Sequence, residues 1–307
     1  MEHRPAGASA MDTDAATEVF VRHRELLFSV VYTMLGSVAD TEDVLQETWL
    51  SLAPRNTALS AEEIANPRAY LVRVAVNQAL ARRNAMIRRR ETYVGQWLPE
   101  PVVRETEPEP DAADRVVRTE AFSMALLVLL ESLTPLERAV FVLHEVFGYP
   151  HTEIAEILGR TPAAVRQIAH RARGHAQARR PRGHADPKAR RRVTERFVEA
   201  AMGGDLEDLL AVLAPDVTLW TDGGERGPAT SLRPVHGAGA VARLFADVAR
   251  GLRPGYRVRY RAVSTDPCAV LFDGDAPLAV VVLDVTAEDT VRGIYSVTNP
   301  DKLTHIR

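Results

Sequence analysis

The most chemically suggestive run of side chains lies between Thr161 and Arg173, where Arg166, Gln167, His170, Arg171 and Arg173 are interleaved with Val165, Ile168, Ala169 and Ala172. The apolar four fall at i, i+3, i+4 and i+7, one face of a helix. The polar set occupies the remainder, with Thr161 ahead of it as a capping residue. Arginine forks onto guanine and glutamine onto adenine in the DNA major groove, while other basic groups meet phosphates. From Arg160 to Arg192 there are 11 basic residues against one acid, Asp186. A solvated charged face on an ordinary α bundle is the competing reading.

That helix needs a platform, and the residues before it supply one. Thr134-Pro135-Leu136-Glu137 is a capping box with proline at the first helical position. A helix carrying Val140, Leu143, Val146 and Phe147 follows, then a short one over His151–Leu158. Gly159 supplies a left-handed stop, and Thr161-Pro162 starts the last helix, which is expected to run to about Arg179. Two helices joined by a short glycine-containing turn form a helix-turn-helix.

A second basic run, Arg82, Arg83, Arg88, Arg89 and Arg90, ends the helix expected over Pro67–Arg90, where cations also suit the helix dipole. Asp43 and Glu47 lie four apart on one helical face with Gln46 beside them, an acidic surface fit for a basic partner. An ordinary acidic helix face is the other reading of that segment.

The net charge of −3 conceals this organisation. Residues 1–97 carry −1, residues 98–120 carry −4 with four prolines, residues 121–192 carry +6, and residues 193–307 carry −4. The Pro/Glu-rich block reads as an extended linker, and the start, Met1–Asp14, as a frayed tail without signal-peptide character. Of the 38 basic residues only Lys188 and Lys302 are lysine, a skew that fits a GC-rich genome. A lone cysteine, Cys268, excludes an internal disulfide and any Cys-rich metal centre and suits a cytoplasmic location. No apolar run approaches the ~20 residues of a membrane span.

After residue 193 the pattern changes. A helical stretch over Thr194–Leu213 precedes β-branched runs at 217–220, 257–263, 269–272, 278–285 and 291–298. Val258, Tyr260 and Ala262 alternate with Arg257, Arg259 and Arg261, as a sheet with one solvated face requires. Helices followed by mostly antiparallel strands predict a separate α+β domain.

Together these segments resemble a bacterial RNA polymerase sigma factor of the extracytoplasmic-function class. Thr41–Trp49 resembles the region 2 helix that docks on the polymerase β′ subunit, and Arg68–Asn77 resembles the segment that opens and reads the −10 element. The resemblance implies core-polymerase contacts from Asp43, Gln46 and Glu47 (to β′ and, more broadly, β). It implies −10 contacts from Arg73, Asn77, Arg82, Arg83, Arg88 and Arg89, with Tyr93 as a ring that stacks on a flipped base. Residues 121–178 resemble region 4, which makes Thr161, Arg166, Gln167, His170, Arg171 and Arg173 readers of the −35 element.

The C-terminal residues resemble a SnoaL-like (nuclear-transport-factor-like) domain, a curved sheet wrapped by helices around a cavity. Three motifs are similar to those of the sigma subgroup with a fused extension: Trp97-Leu98-Pro99-Glu100-Pro101, Asp222-Gly223-Gly224, and Asn299-Pro300-Asp301-Lys302-Leu303. The second continues Glu225-Arg226 where the pattern has a third glycine, which leaves its turn geometry open. The resemblance implies an intramolecular regulator that contacts the sigma regions and takes the place of a separate anti-sigma factor. The expected organisation is therefore multidomain. Two all-α sigma domains at 15–96 and 121–182 are separated by a linker at 97–120 and followed by the α+β domain at 190–307. The resemblance implies core RNA polymerase and promoter DNA as partners, with no cofactor, metal or membrane expected. The rival reading makes the C-terminal cavity a ligand sensor or a cyclase- or isomerase-like catalyst, with Asp222, His236 and Asp284 as its candidate acids and bases.

Overall fold

The computed structural model describes residues 8–52, 66–90, 93, 95–104, 123–177, 185–228, 231–251, 255–264 and 266–307. The first residues of the expected tail, the acidic stretch 105–122 of the linker and the Arg179–Arg182 part of the basic run lie outside them. So do the side chains of Arg89 and Arg90. The chain divides into two compact units, residues 1–88 with 132–178, and residues 89–131 with 179–307.

In the first unit, α1 (Ala8–Leu35), α2 (Val38–Leu52) and α3 (Pro67–Arg90) form a bundle. Gly36, at φ 69°, turns the chain out of α1, and the Ser37 hydroxyl caps α2 through the Asp40 N–H at 3.3 Å. Asn66 caps α3 at the Ala69 N–H (3.0 Å), with Pro67 at the first helical position. Leu27, Val31, Leu45, Leu71, Ala75 and Ala79 are all buried between the three helices. The rest of the unit is α5 (Pro135–Phe141), a π-helical turn at Val142–Val146, α6 (His151–Leu158) and α7 (Pro162–Gln177). The expected capping box is formed: Thr134 accepts from Glu137 N–H and Glu137 accepts from Thr134 N–H. Gly159 ends α6 at φ 60°. Arg138, 1% exposed, ties α5 to α1 by donating Nε and Nη2 to the Thr33 carbonyl at 3.0 and 2.8 Å.

The second unit contains β1 (Val103–Arg104), α4 (Met124–Leu130), α8 (Pro187–Gly203), α9 (Leu206–Val212), β2 (Leu213–Asp222), β3 (Val235–His236), α10 (Ala238–Gly251), β4 (Tyr256–Val263), β5 (Asp266–Asp273), β6 (Ala276–Val285), β7 (Val291–Val297) and a 3₁₀ turn at Pro300–Lys302. The helical stretch expected over Thr194–Leu213 is two helices. Gly204 breaks it at φ 69°, Asp205 caps α9 at the Glu207 and Asp208 N–H groups, and β2 begins already at Leu213.

The seven strands are ordered β1-β4-β5-β6-β7-β2-β3, antiparallel except for the β2–β7 pair. One face of the sheet packs on α8–α10 through Phe197, Val212, Leu219, Val241 and Ile294. The other face is covered by Leu98 of the linker, Met124 of α4, and Leu303 and Ile306 of the C-terminal tail, packed on Val270, Phe272, Val282 and Tyr295. The linker also adds a strand, since Val103 pairs with Val263 at the sheet edge. Thus the segment read as an extended linker is, over residues 95–104, an integral part of the second unit, and α4 belongs to that unit as well.

Candidate functional site

The polar face of α7 is presented as its spacing predicts. Val165, Ile168, Ala169 and Ala172 are buried, while Thr161, Arg166, Gln167, His170 and Arg171 are exposed. The Thr161 hydroxyl caps the helix through the Ala164 N–H at 3.2 Å. Arg173 is held by Glu145 at 2.5 Å, and Arg171 approaches Glu137 at 3.6 Å. Burial alone would raise the Glu137 carboxyl. The Thr134 hydroxyl and N–H, with His175 and Arg171 beside it, bring it below the usual carboxylate value instead. Arg166, Gln167 and His170 thus form an exposed polar row on a capped, anchored helix.

The acidic face of α2 is likewise open: Asp43, Gln46 and Glu47 are exposed. On α3, Arg73, Asn77 and Arg88 are exposed, and the Asn77 amide donates to the Ile157 carbonyl of α6 at 3.0 Å. Arg82 is engaged by Asp40 at 2.6 Å and by Asp43, so a basic residue assigned to the −10 element and an acidic one assigned to polymerase share an ion pair.

Two residues assigned to the −10 element stand elsewhere. Arg83 is 3% exposed and points Nη1 to the Leu35 carbonyl at 3.5 Å. It lies four residues after buried Ala79 and three before buried Met86, which places it on the apolar stripe of α3, so it does not present a surface to DNA. Tyr93 is half-buried in the second unit, its hydroxyl donating to Asp222 Oδ1 at 2.5 Å. Burial, and then the Asp222 carboxylate, push that phenol well above its ordinary pKa, so Tyr93 stays a donor. Arg89 lies outside the described side chains.

All three motifs of the second unit converge on one carboxylate. Asp222 ends β2 and is fully buried. Its Oδ1 accepts from Tyr93 and from the Gly224 N–H (3.2 Å), and its Oδ2 accepts from the Leu98 N–H (2.7 Å) and Lys302 Nζ (2.6 Å). Its backbone carbonyl accepts from the Thr298 and Asn299 N–H groups at 2.7 and 2.9 Å. Lys302 also donates to the Leu98 carbonyl and sits 4.0 Å above the Trp97 ring, a cation–π contact. Asn299 caps the 3₁₀ turn through the Asp301 N–H and donates its amide to the Tyr93 hydroxyl at 2.9 Å.

Pro99 is buried beside this cluster, Pro300 starts the 3₁₀ turn, Leu303 seats in the core beneath, and Asp301 pairs with Arg226 at the surface. His305 adds a second clasp, with Nε2 on the Pro101 carbonyl at 2.8 Å and Nδ1 3.4 Å from Glu100. Glu100 raises its pKa, burial opposes, and the Pro101 carbonyl adds to the rise.

The turn after Asp222 explains the missing third glycine. Gly224 has φ 57°, and a Cβ there would lie 2.6 Å from Asn299 Nδ2. A Cβ on Gly227 would lie 2.4 Å from both the Gly223 and Thr298 carbonyls. Glu225 is exposed and is not among the positive-φ residues, so that position has no need of glycine.

Of the candidate acids and bases, Asp222 is saturated by donors, His236 is exposed with Nδ1 3.0 Å from the Thr218 hydroxyl, and Asp284 pairs with Arg292 at 3.3 Å. None of them is among the residues lining the cavity between α8, α10 and the sheet. Sequence reasoning did not assign His305, and it assigned Tyr93 to base stacking and not to the Asp222 cluster. Tyr93 and His305 lie 129 and 83 residues from Asp222, and no local pattern marks them.

Residues 19–90 match the model of sigma-70 region 2, residues 123–175 that of sigma-70 region 4, and residues 194–297 that of the SnoaL-like domain. The ECF RNA polymerase sigma factor SigJ of Mycobacterium tuberculosis (strain H37Rv) is 36% identical over 290 residues, 92% of this chain and 91% of that protein. The probable ECF sigma factor SigI of the same species is 34% identical over 206 residues, 66% of this chain and 69% of SigI. The crystal structure of M. tuberculosis SigJ aligns with a TM-score of 0.68 at 32% identity, covering 94% of this chain and 98% of that one. Among the described residues, no helix is long and apolar enough to cross a membrane.

Proposed function

The chain belongs to the extracytoplasmic-function RNA polymerase sigma factors and carries a SnoaL-like C-terminal domain. From that premise we propose that it binds core RNA polymerase, directs initiation at promoters of its own specificity, and is regulated by its C-terminal domain through the linker. The carrying observation is the Asp222 cluster, which gathers Tyr93, Leu98 and Lys302 on one buried carboxylate. In sigma factors the linker joins the two DNA-reading regions, so a domain that grips its start at residues 93–103 has a handle on both. Tethering makes this grip intramolecular, and modest contacts then suffice.

The assignments that follow from family and exposure are these. Asp43, Gln46 and Glu47 dock on polymerase, and Arg73, Asn77, Arg82 and Arg88 face the −10 element. Thr161, Arg166, Gln167, His170, Arg171 and Arg173 face the −35 element. Asn77 and Asp43 have partners inside the first unit, and engaging DNA or polymerase exchanges those partners for new ones. By sequence we assign region 2 to 15–96, region 4 to 121–182 and the regulatory domain to 190–307, while residues 89–131 pack with the second unit. The test is core-polymerase binding and promoter-specific transcription by the full chain against a chain ending near Arg180. Transcription that differs between the two with binding retained supports the reading, and identical transcription contradicts regulation by the extension.

A further inference from the structure

The sheet and helices of the second unit enclose a cavity of about 320 Å³ that the linker cluster does not use. Its walls are Phe197 and Met202 from α8, Phe245 from α10, and Val258, Leu271 and Val281 from the sheet. The Phe197 and Phe245 rings meet edge to face, 5.1 Å between centroids. Among the described residues, the lining contains no Asp, Glu, His, Lys or Arg, and its polar side chains are the hydroxyls of Tyr256, Ser296 and Thr298. The volume is that of a small-molecule site. Against the described lining, a charged ligand would lose its hydration with no counter-charge to replace it, and a proton-transfer reaction would find no carboxylate or imidazole. The chemistry selects an uncharged, largely apolar molecule with one polar group to meet a hydroxyl.

The cavity shares a wall with the linker cluster. Thr298 lines the cavity, and its hydroxyl points at the Asp222 and Pro228 carbonyls, at 3.2 and 3.0 Å. Its N–H donates to the same Asp222 carbonyl at 2.7 Å. Pro228 also lines the cavity, and the adjoining Gly227 has no room for a Cβ against the Thr298 carbonyl. With so little slack, a ligand that bonds to the Thr298 hydroxyl, or pushes on Pro228, displaces the backbone of the residue whose carboxylate holds Leu98, Tyr93 and Lys302.

We propose that this cavity is an effector site for an uncharged apolar small molecule, and that its occupancy is transmitted to the linker through Thr298 and Asp222. The transmission half rests on the linker-docking reading above.

The test uses the full chain and the neutral fluorophore N-phenyl-1-naphthylamine. The expected result is saturable binding, weakened at least tenfold by Ala201→Trp, whose side chain fills the cavity from α8, and by the milder Ala201→Leu. An unchanged unfolding midpoint in either variant separates filling from misfolding. Saturating probe should also change hydrogen exchange at the Leu98 amide at least threefold. No saturable binding, or binding that neither variant weakens, overturns the site. Binding that leaves Leu98 exchange unchanged overturns the transmission. Failure of the linker reading shows separately: Asp222→Asn would then leave Leu98 exchange unaltered in the probe-free chain.

Discussion

Lys302 and Asp222 form an ion pair withdrawn from water, with Nζ 2.6 Å from Oδ2 and side-chain exposures of 11% and 0%. The two residues are 80 positions apart, and the Leu98 amide on the same oxygen is a further 124 positions from Asp222. Three segments without sequence proximity are therefore held by one charge. Removing either partner leaves the other buried and uncompensated, which costs about 3 kcal/mol or more.

Accordingly, Asp222→Ala and Lys302→Ala should each lower the unfolding free energy of the second unit by about 3 kcal/mol, and the double variant by much less than the sum. Denaturant unfolding of the four chains checks this. Additive single losses would show that the pair is not a coupled one.

The His305 clasp makes a pH-dependent contribution. Its folded-state pKa is raised above the ordinary 6.5 because both ring nitrogens face acceptors, Glu100 and the Pro101 carbonyl. A raised folded pKa means that the contribution is fully present below pH 6.5 and fades as pH rises through the raised value. Amide protection over residues 98–103, corrected for intrinsic exchange, should therefore fall between pH 6 and pH 8, and His305→Gln should abolish the dependence. Equal protection at both values would remove His305 from the clasp.

On α7, Arg166→Ala and Gln167→Ala should each relax −35 preference by about 1–3 kcal/mol, the worth of a good base contact. Competition binding with promoter variants reads this directly. If both variants discriminate as the parent does, these two side chains are not readers.

Arg83 and Arg73 separate folding from promoter contact. Arg83→Leu should alter the thermal stability of the first unit, because its head group sits against the Leu35 carbonyl. Arg73→Ala, at an exposed position, should leave the melting temperature within a degree or two and weaken binding to −10 single strands. The reverse pattern would exchange the two roles.

Much of the local structure was legible in residue types. The Thr134–Glu137 capping box, the Gly159 stop and the apolar stripe of α7 are formed where their spacing places them. Short-range signals of this kind depend on a few neighbouring residues and survive without tertiary information. Arg83 was misplaced because charge suggested a surface while its position on the α3 stripe dictated burial. Tyr93, read as a stacking ring, is instead a hydrogen-bond donor in the Asp222 cluster. The motifs around Trp97, Asp222 and Asn299 were visible individually, but their convergence depends on β2 and β7 lying side by side and on the linker crossing one sheet face. No local pattern encodes that crossing.

The most direct measurement of the central claim is reconstituted transcription with core RNA polymerase, comparing the full chain with one ending at Val297, which lacks Asn299, Lys302, Leu303 and His305. The account predicts altered transcript yield with core-polymerase binding retained. Unchanged transcription, or loss of polymerase binding together with activity, would contradict it.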